Sequence, residues 1–487
     1  VLGEPALPYV RANLAVPDRA LMALGKVETA VREIPVKSYV PSKGPIYRNE
    51  DPSTFPYVFG AAYQSGSDYP RHSVLLGEPF ILRNVRGVPV QFNPFVFNPA
   101  EGKLKILESV TAEVLVSGED VRNVLTEDLK VRESSEFLEV YERRFLNPPR
   151  WPEYAHVADA GRLLIIVYDS FYDSMLPFYY WKLQKGIPTS MVTVTTAGST
   201  AANIKNYILG QYQSAEGLTY VLLVGDYTQV PFMTGTAGNV AGEPSDPSYA
   251  LLTGSDQYFE VFISRFSAQN TTDVQVQVNK VINYEKTPQS SGAWYHKAFG
   301  IGGDDTGGSP SYADWERVEF LRAVLQTPAY FYTDFTQIYH DSATAAMVTS
   351  AVNDGRGLGL YIGHGSETSW VTTGFGVSNV NALTNSTGML PFILSVACVN
   401  GRFDYSSADC FAEAWLKAGT PAAPKGAVAF YGSSTNQSWV PPCVGQREAV
   451  DLLAAETDAS RTYRTVGALY MNGCMKAVDV YPGTGGD

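Results

Sequence analysis

One histidine and one cysteine in this sequence, side chains that together can do nucleophilic chemistry, each follow an apolar run that reads as a strand. After the apolar run Leu358–Ile362 comes Gly363-His364-Gly365-Ser366-Glu367-Thr368-Ser369-Trp370, and after Phe392–Val396 comes Ala397-Cys398-Val399-Asn400-Gly401. The 34 residues from His364 to Cys398 make one loop plus a crossover, so neighbouring strands would bring imidazole and thiol together. An imidazole in that place holds the thiol as thiolate, below the free-cysteine pKa of about 8.5, and later protonates a leaving amine, as cysteine proteolysis requires. Glycine beside the histidine lets backbone N–H approach a substrate carbonyl, so the Gly365 and Cys398 amides are candidates for an oxyanion hole. Singly, each residue has a plainer reading: a cysteine at an apolar strand end is ordinarily a small buried hydrophobe, and a lone histidine is ordinarily structural. The pairing on successive strand ends is what points to chemistry.

The elements that must position this pair lie in the region after Gly161. Strand-length apolar runs (Leu163–Val167, Tyr220–Val224, Val261–Ile263, Leu358–Ile362, Phe392–Val396, Val428–Tyr431) alternate there with helical candidates. The helical candidates are Ala201–Gln213, Thr272–Lys286, Asp314–Gln326, Thr344–Asn353 and Ala408–Lys417. Continuous apolar strands alternating with helices predict an α/β fold around a mostly parallel sheet, with the chemistry just beyond the carboxyl ends of the strands. The first 145 residues read instead as β. In Lys103–Ser117 the residues Leu104, Ile106, Val110, Ala112, Val114 and Val116 share one face at period 2, and Pro and Gly punctuate the residues before it, as in a sandwich of short strands. A charged stretch from Glu119 to Arg144 leads into Asn147-Pro148-Pro149-Arg150-Trp151-Pro152, the best linker in the chain. The expected division is therefore a β-rich domain at 1–145, a linker at 146–160 and an α/β region at 161–487, with two sub-domains meeting near residue 290.

Composition narrows the classes. Among 487 residues the formal net charge is −13, which argues against a nucleic-acid binder, because phosphate binding needs a basic face. The 45% apolar content excludes intrinsic disorder, and no apolar run reaches the length of a membrane-spanning helix. All four cysteines (Cys398, Cys410, Cys443 and Cys474) fall in the last quarter without a CxxC pair, which fits neither a disulfide scaffold nor a zinc ribbon. Cys410 and Cys474 read as buried thiols. Opening at Val1 without a leader and stopping in Tyr481-Pro482-Gly483-Thr484-Gly485-Gly486-Asp487, the sequence reads as a segment of a longer polypeptide or one whose signal peptide was removed.

GHGSETSW, SVACVNGRFDY and Ser434-Thr435-Asn436-Gln437-Ser438-Trp439 resemble the gingipain family of cysteine peptidases. The resemblance runs from about Leu163 to Met475 and takes in TYVLLVGD, EVFISRF, VINYEK, MLPFIL and ALYMNG. It implies a caspase-like α/β fold, Cys398 as nucleophile, His364 as general acid/base, and the Gly365 and Cys398 amides as oxyanion hole. It also implies an acidic residue orienting the histidine, placed after the strand Lys297–Gly302. Asp304 is the first choice there and Asp305 the alternative, while an Asp-Gly-rich turn or calcium loop stays open. A buried Asp at the base of the specificity pocket falls on Asp314. An N-cap is the competing reading, and a carboxylate in a narrow slot would select a P1 guanidinium. Trp439 matches the aromatic lid, and Gln437 and Cys443 complete the candidate substrate-binding set. Cys443 departs from the Met of the arginine-specific pattern, which leaves Arg against Lys open. Glu367 and Trp370 belong to the family box and are expected to fix the loop after His364.

Residues 1–145 resemble the family prodomain through Val88-Pro89-Val90-Gln91-Phe92-Asn93-Pro94 and Phe97-Asn98-Pro99. Such a domain would act as an intramolecular inhibitor, with Arg143, Arg144 and Arg150 as processing points or as ordinary charges of a solvated linker. The resemblance thus implies a secreted or surface-located bacterial cysteine endopeptidase in zymogen form, acting on protein or peptide substrates after basic residues. A sortase or transpeptidase of a bacterial secretion system, and a catalytically decayed binding module, are the alternatives. No cofactor is expected for the chemistry. Structural calcium is a family possibility, for which Asp246, Asp256, Asp304 and Asp305 lie in loops suited to oxygen ligation.

Overall fold

The computed structural model describes residues 1–126, 135–149, 161–214, 217–236, 240–308, 311–327, 332–386, 388–454 and 465–482. The N-terminal part builds two antiparallel sheets. One runs Ala20–Pro35, Lys103–Glu119, Phe95–Asn98; the other sets Val10–Ala15 and Val74–Leu76 on either side of Val85–Phe92, which also pairs with Phe80–Leu82. The period-2 pattern in Lys103–Glu119 survives as alternating exposure between Val110 and Val114, although register shifts in its pairing with Ala20–Pro35 interrupt it.

This part is not all β. Ser135–Arg144, read in sequence as the charged approach to the linker, is a helix. Phe137, Val140 and Tyr141 recur at i, i+3 and i+4 and are buried, with Phe137 stacked on Phe262 of the α/β region, so an apolar face is buried in a helix whose charges, apart from buried Arg144, lie away from it.

Two parallel sheets come next in the chain. The first has the order Phe262–Phe266, Leu218–Val224, Arg162–Val167, Thr189–Thr193. The second has the order Asp334–Tyr339, Lys297–Gly302, Leu358–Ile362, Phe392–Val396, Ala429–Tyr431. Central strands such as Leu358–Ile362 and Phe392–Val396 are buried along their whole length, as expected of a sheet covered on both faces. The helix Thr271–Lys286 separates the two sheets in the chain. Among the described residues no helix is long and apolar enough to cross a membrane.

The register of the second sheet sets the position of the chemistry. Ile362 pairs with Val396 in parallel, and Gly302 pairs with Ile362 on one side and Tyr339 on the other. The residues two positions beyond Ile362 and Val396 are His364 and Cys398, so both leave the sheet side by side at its carboxyl edge.

Candidate active site

The backbones of the two loops are in close contact. A Cβ on Gly365 would lie 2.4 Å from the Cys398 carbonyl oxygen, so only glycine fits. Val399 carries a positive φ of 48°, a left-handed conformation costly for a β-branched residue, which turns the chain sharply just after the thiol. Behind the loops, buried Asn400 donates from Nδ2 to the Ser366 and Ser369 carbonyls at 2.7 and 3.0 Å and accepts from Ser395 Oγ at 3.0 Å. Trp370 Nε1 donates to the same Ser395 Oγ at 2.9 Å, and Tyr361 OH donates to the His364 carbonyl. Asn400, Ser395 and Tyr361 are positioning residues that sequence reasoning missed. Only the place of Asn400 two residues after Cys398 signalled it.

Cys398 is 3% exposed, and its Sγ accepts from the Gln437 amide at 3.4 Å. Burial pushes its thiol above the usual range, with the Gln437 amide and the charge of Arg48 working in the other direction. His364 is half-buried, with its ring edge-on to Trp439 and Nε2 3.6 Å from Asp305 Oδ2. That separation is an ion-pair contact rather than a hydrogen bond.

The first choice for the orienting acid needs correction. Asp304 Oδ1 lies 2.7 Å from His340 Nδ1 and its Oδ2 accepts from the Asp341 amide at 3.1 Å, which hold the carboxyl below its usual range. Asp305 is the carboxylate that faces His364. The cause is the register: His340 follows the strand on one side of Lys297–Gly302 and His364 the strand on the other, so successive residues of the loop turn to opposite neighbours.

Asp314 is the first residue of the helix Asp314–Leu325, 1% exposed, and Ala313 occupies the cap position. Its carboxylate is occupied by an arginine from the N-terminal domain. Arg48, fully buried, places Nη1 3.0 Å from both Asp314 oxygens, Nη2 3.4 Å from the Trp439 carbonyl and 3.3 Å from Cys443 Sγ, and its guanidinium 4.9 Å from the Trp439 ring. Burial works against the charged form of Arg48, and the charge of Asp314 with the neighbouring Cys443 more than offsets it, so its pKa is raised; burial pushes Asp314 upward against the pull of Arg48. Gly307 leaves the space that Trp439 fills, since a Cβ there would come within 2.2 Å of the indole.

The backbone around Arg48 is equally specific. Tyr47 forms an antiparallel bridge with Ser438, the Arg48 amide donates to the Gln437 carbonyl at 3.1 Å, and Trp439 Nε1 donates to the Tyr47 carbonyl at 2.8 Å. Gln437 thus contributes its main chain, and its side-chain Oε1 has no partner among the described residues. A 430 Å³ cleft continues from Arg48 past Asn49 and Glu50 toward Asp305 and His364. Arg48 was not legible in the sequence.

One other expectation changes. Arg144 is not an accessible processing point: it ends the helix Ser135–Arg144, is 4% exposed, and donates to Asp479 at 2.9 Å, Glu448 at 3.2 Å and the Asn472 carbonyl at 2.7 Å. Arg143 sits beside it on the same helix, and Arg150 lies outside the described residues. The four carboxylates considered for calcium are spread among protein partners. Asp246 is bound to Arg265 at 2.7 Å, Asp256 accepts from the Ile81 and Tyr258 amides, and Asp304 and Asp305 face histidines. Among the described residues no three His, Cys, Asp or Glu side chains come together in a group that could hold a metal ion. All four cysteines are free thiols, with Cys410 buried and Cys474 partly so. Trp370 and the Glu367 carbonyl, which accepts from the Phe411 amide at 2.7 Å, sit in the loop after His364.

Comparison with known proteins agrees with this layout. The family model described as Peptidase family C25 matches residues 156–483, and Propeptide_C25 matches residues 1–142. Gingipain R1 of Porphyromonas gingivalis is 36% identical over 485 residues, 98% of this chain and 48% of the relative. Gingipain R2 of Porphyromonas gingivalis strain W83 is 35% identical over 98% of this chain and 64% of the relative. The chain therefore spans about half to two thirds of the length of these relatives. The crystal structure of the Arg-specific cysteine proteinase gingipain R matches with a TM-score of 0.63 at 35% identity, over 68% of this chain and 76% of that one. The complex of the Porphyromonas gingivalis RgpB pro- and mature domains matches at 0.62 and 34%, over 67% and 76%. With the propeptide and peptidase regions matched in order and the thiol, imidazole and buried carboxylate gathered at one sheet edge, the chain belongs to peptidase family C25, the gingipains.

Proposed function

We propose that this chain is the latent form of a cysteine endopeptidase that cuts after arginine, with its N-terminal domain seated in the active site as an inhibitor. The observation that carries the reading is Arg48: its side chain ends on Asp314 while its backbone pairs with Gln437 and Ser438 beside Cys398. A substrate would add the same short antiparallel segment and place its P1 arginine in the same slot.

In the reaction, Cys398 Sγ gives its proton to His364 and attacks the P1 carbonyl carbon. The oxyanion that forms is held by the Gly365 and Cys398 amides, and Asp305 stabilises the imidazolium. His364 then protonates the leaving amine as the C–N bond breaks, leaving a thioester. Finally His364 takes a proton from water, the hydroxide attacks the thioester, and the thiolate leaves. The raised thiol of the covered state suits latency, because a protonated sulfur under a seated loop is a poor nucleophile. An exported location accompanies the reading, as does a protein or peptide substrate. The ordered Cys398, His364 and Asp305 argue against a decayed binding module.

The test is hydrolysis of matched chromogenic peptides with Arg, Lys or a neutral residue at P1, before and after limited proteolysis, with Cys398→Ala as control. Arg cleavage that appears on proteolysis and vanishes in the control is expected. Cleavage after neutral residues would discard the role of Asp314.

A further inference from the structure

The specificity pocket treats the two ends of the Arg48 guanidinium differently. Nη1 sits 3.0 Å from both Asp314 oxygens, so a single nitrogen faces the whole carboxylate. That is the contact of a point charge, and a lysine ammonium can make it too. Nη2 is the group for which lysine has no counterpart. Its partners are Cys443 Sγ at 3.3 Å and the Trp439 carbonyl at 3.4 Å, while Nε has none among the described residues.

Cys443 is also bound to that carbonyl, donating its thiol proton to Trp439 O at 3.3 Å. A thiol gives one hydrogen bond and accepts another, so the set closes as Nη2–H to sulfur and S–H to oxygen. The helix Pro441–Ala454 fixes the geometry: Cys443 is its third residue, 8% exposed, one turn after Trp439. The residue that closes the ring-lined slot and the residue that reads the second nitrogen are therefore set by one helix start.

We propose that Cys443 is the residue by which this pocket selects arginine over lysine, accepting from the guanidinium Nη2 a hydrogen bond that an ammonium cannot supply. The assignment deepens the reading of Asp314 as the P1 carboxylate and rests on it.

The experiment measures kcat/KM of the proteolytically activated full chain on peptide pairs differing only in Arg or Lys at P1, for wild type, Cys443→Ala, Cys443→Ser and Asp314→Asn. Loss of one hydrogen bond to a charged group lowers the Arg-to-Lys ratio of kcat/KM by about tenfold in Cys443→Ala. An unchanged denaturant midpoint reports an intact fold. Cys443→Ser, whose hydroxyl both donates and accepts, restores most of the Arg-to-Lys ratio. Equal losses on both substrates, or a ratio that Cys443→Ala leaves unchanged, overturns the proposal. Asp314→Asn separates the two levels: if it keeps the basic preference, the pocket itself is elsewhere. If it abolishes that preference while Cys443→Ala does nothing to the ratio, only the Cys443 assignment fails.

Discussion

Replacing Arg48 by alanine in the uncut chain should turn a silent protein into an active one. Arg48 and Asp314 are 0% and 1% exposed and paired at 3.0 Å, so truncating one partner leaves an unpaired carboxylate beneath the seated loop. Breaking a buried pair in this way costs about 3–5 kcal/mol, and the stacking on Trp439 adds to it. The covered state bears that cost, because in the open state water reaches Asp314 again. At about 1.4 kcal/mol per factor of ten, the closed-to-open ratio falls by roughly two to nearly four orders of magnitude. The assay is turnover of a small chromogenic arginine peptide by chain shown intact on a gel, with Arg48→Ala/Cys398→Ala as the blank. Arg48→Lys should fall between, keeping a cation on Asp314 and losing both Nη2 contacts. An intact Arg48→Ala chain as silent as wild type would refute the argument, since latency would then come from the rest of the domain interface and not from the occupied pocket.

Four further outcomes are expected from the site and the interface. Gly365→Ala should lower kcat by at least about a hundredfold with the fold retained, because its Cβ would push on the Cys398 carbonyl that shapes the oxyanion hole; a near-normal kcat would show the two loops are not held as described. Asp305→Asn should slow the activated enzyme by about 10–100-fold, less than a fully hydrogen-bonded triad acid would, while Asp304→Asn changes kcat/KM by under about threefold; the reverse ranking would restore Asp304 as the orienting acid. Arg144→Ala should leave the pattern of processing fragments unchanged yet destabilise the uncut chain by about 3 kcal/mol in denaturant titration, since Asp479 loses its guanidinium. Asp256 lies under the N-terminal domain near buried Glu260, accepts from the Ile81 amide, and is pushed by burial from 3.8 up to about 6. Protonation therefore favours the covered state: the grip on the nicked N-terminal domain is full below pH 3.8, weakens by roughly tenfold per unit as pH rises toward 6, and is then level. Asp256→Asn should flatten that profile in a release assay, and a wild-type profile already flat from about pH 4 to 6 would sink the assignment.

What the sequence discloses depends on whether a residue's meaning is local. Leu358–Ile362 and Phe392–Val396 were legible to the residue because a strand buried on both faces is apolar throughout and glycine or small residues mark its ends. The pair His364 and Cys398 came with them, since adjacency of successive parallel strands brings their ends together. Helices with contradictory local signals were lost. Tyr172–Gln184 contains Pro177, Pro441–Ala454 opens on two prolines that its first turn tolerates, and Ser135–Arg144 hides a buried face among charges. The choice between Asp304 and Asp305 could not be read at all from one chain, because it turns on which neighbouring strand end each carboxylate meets. Arg48 is the extreme case. In sequence it is one arginine in a Gly- and Pro-containing loop without period or motif, and only a fold that carries it across 266 positions onto Asp314 gives it a role. The slot proposed to admit a substrate's arginine is the slot the N-terminal domain fills, so in the proposed reading specificity and latency are two uses of one charge.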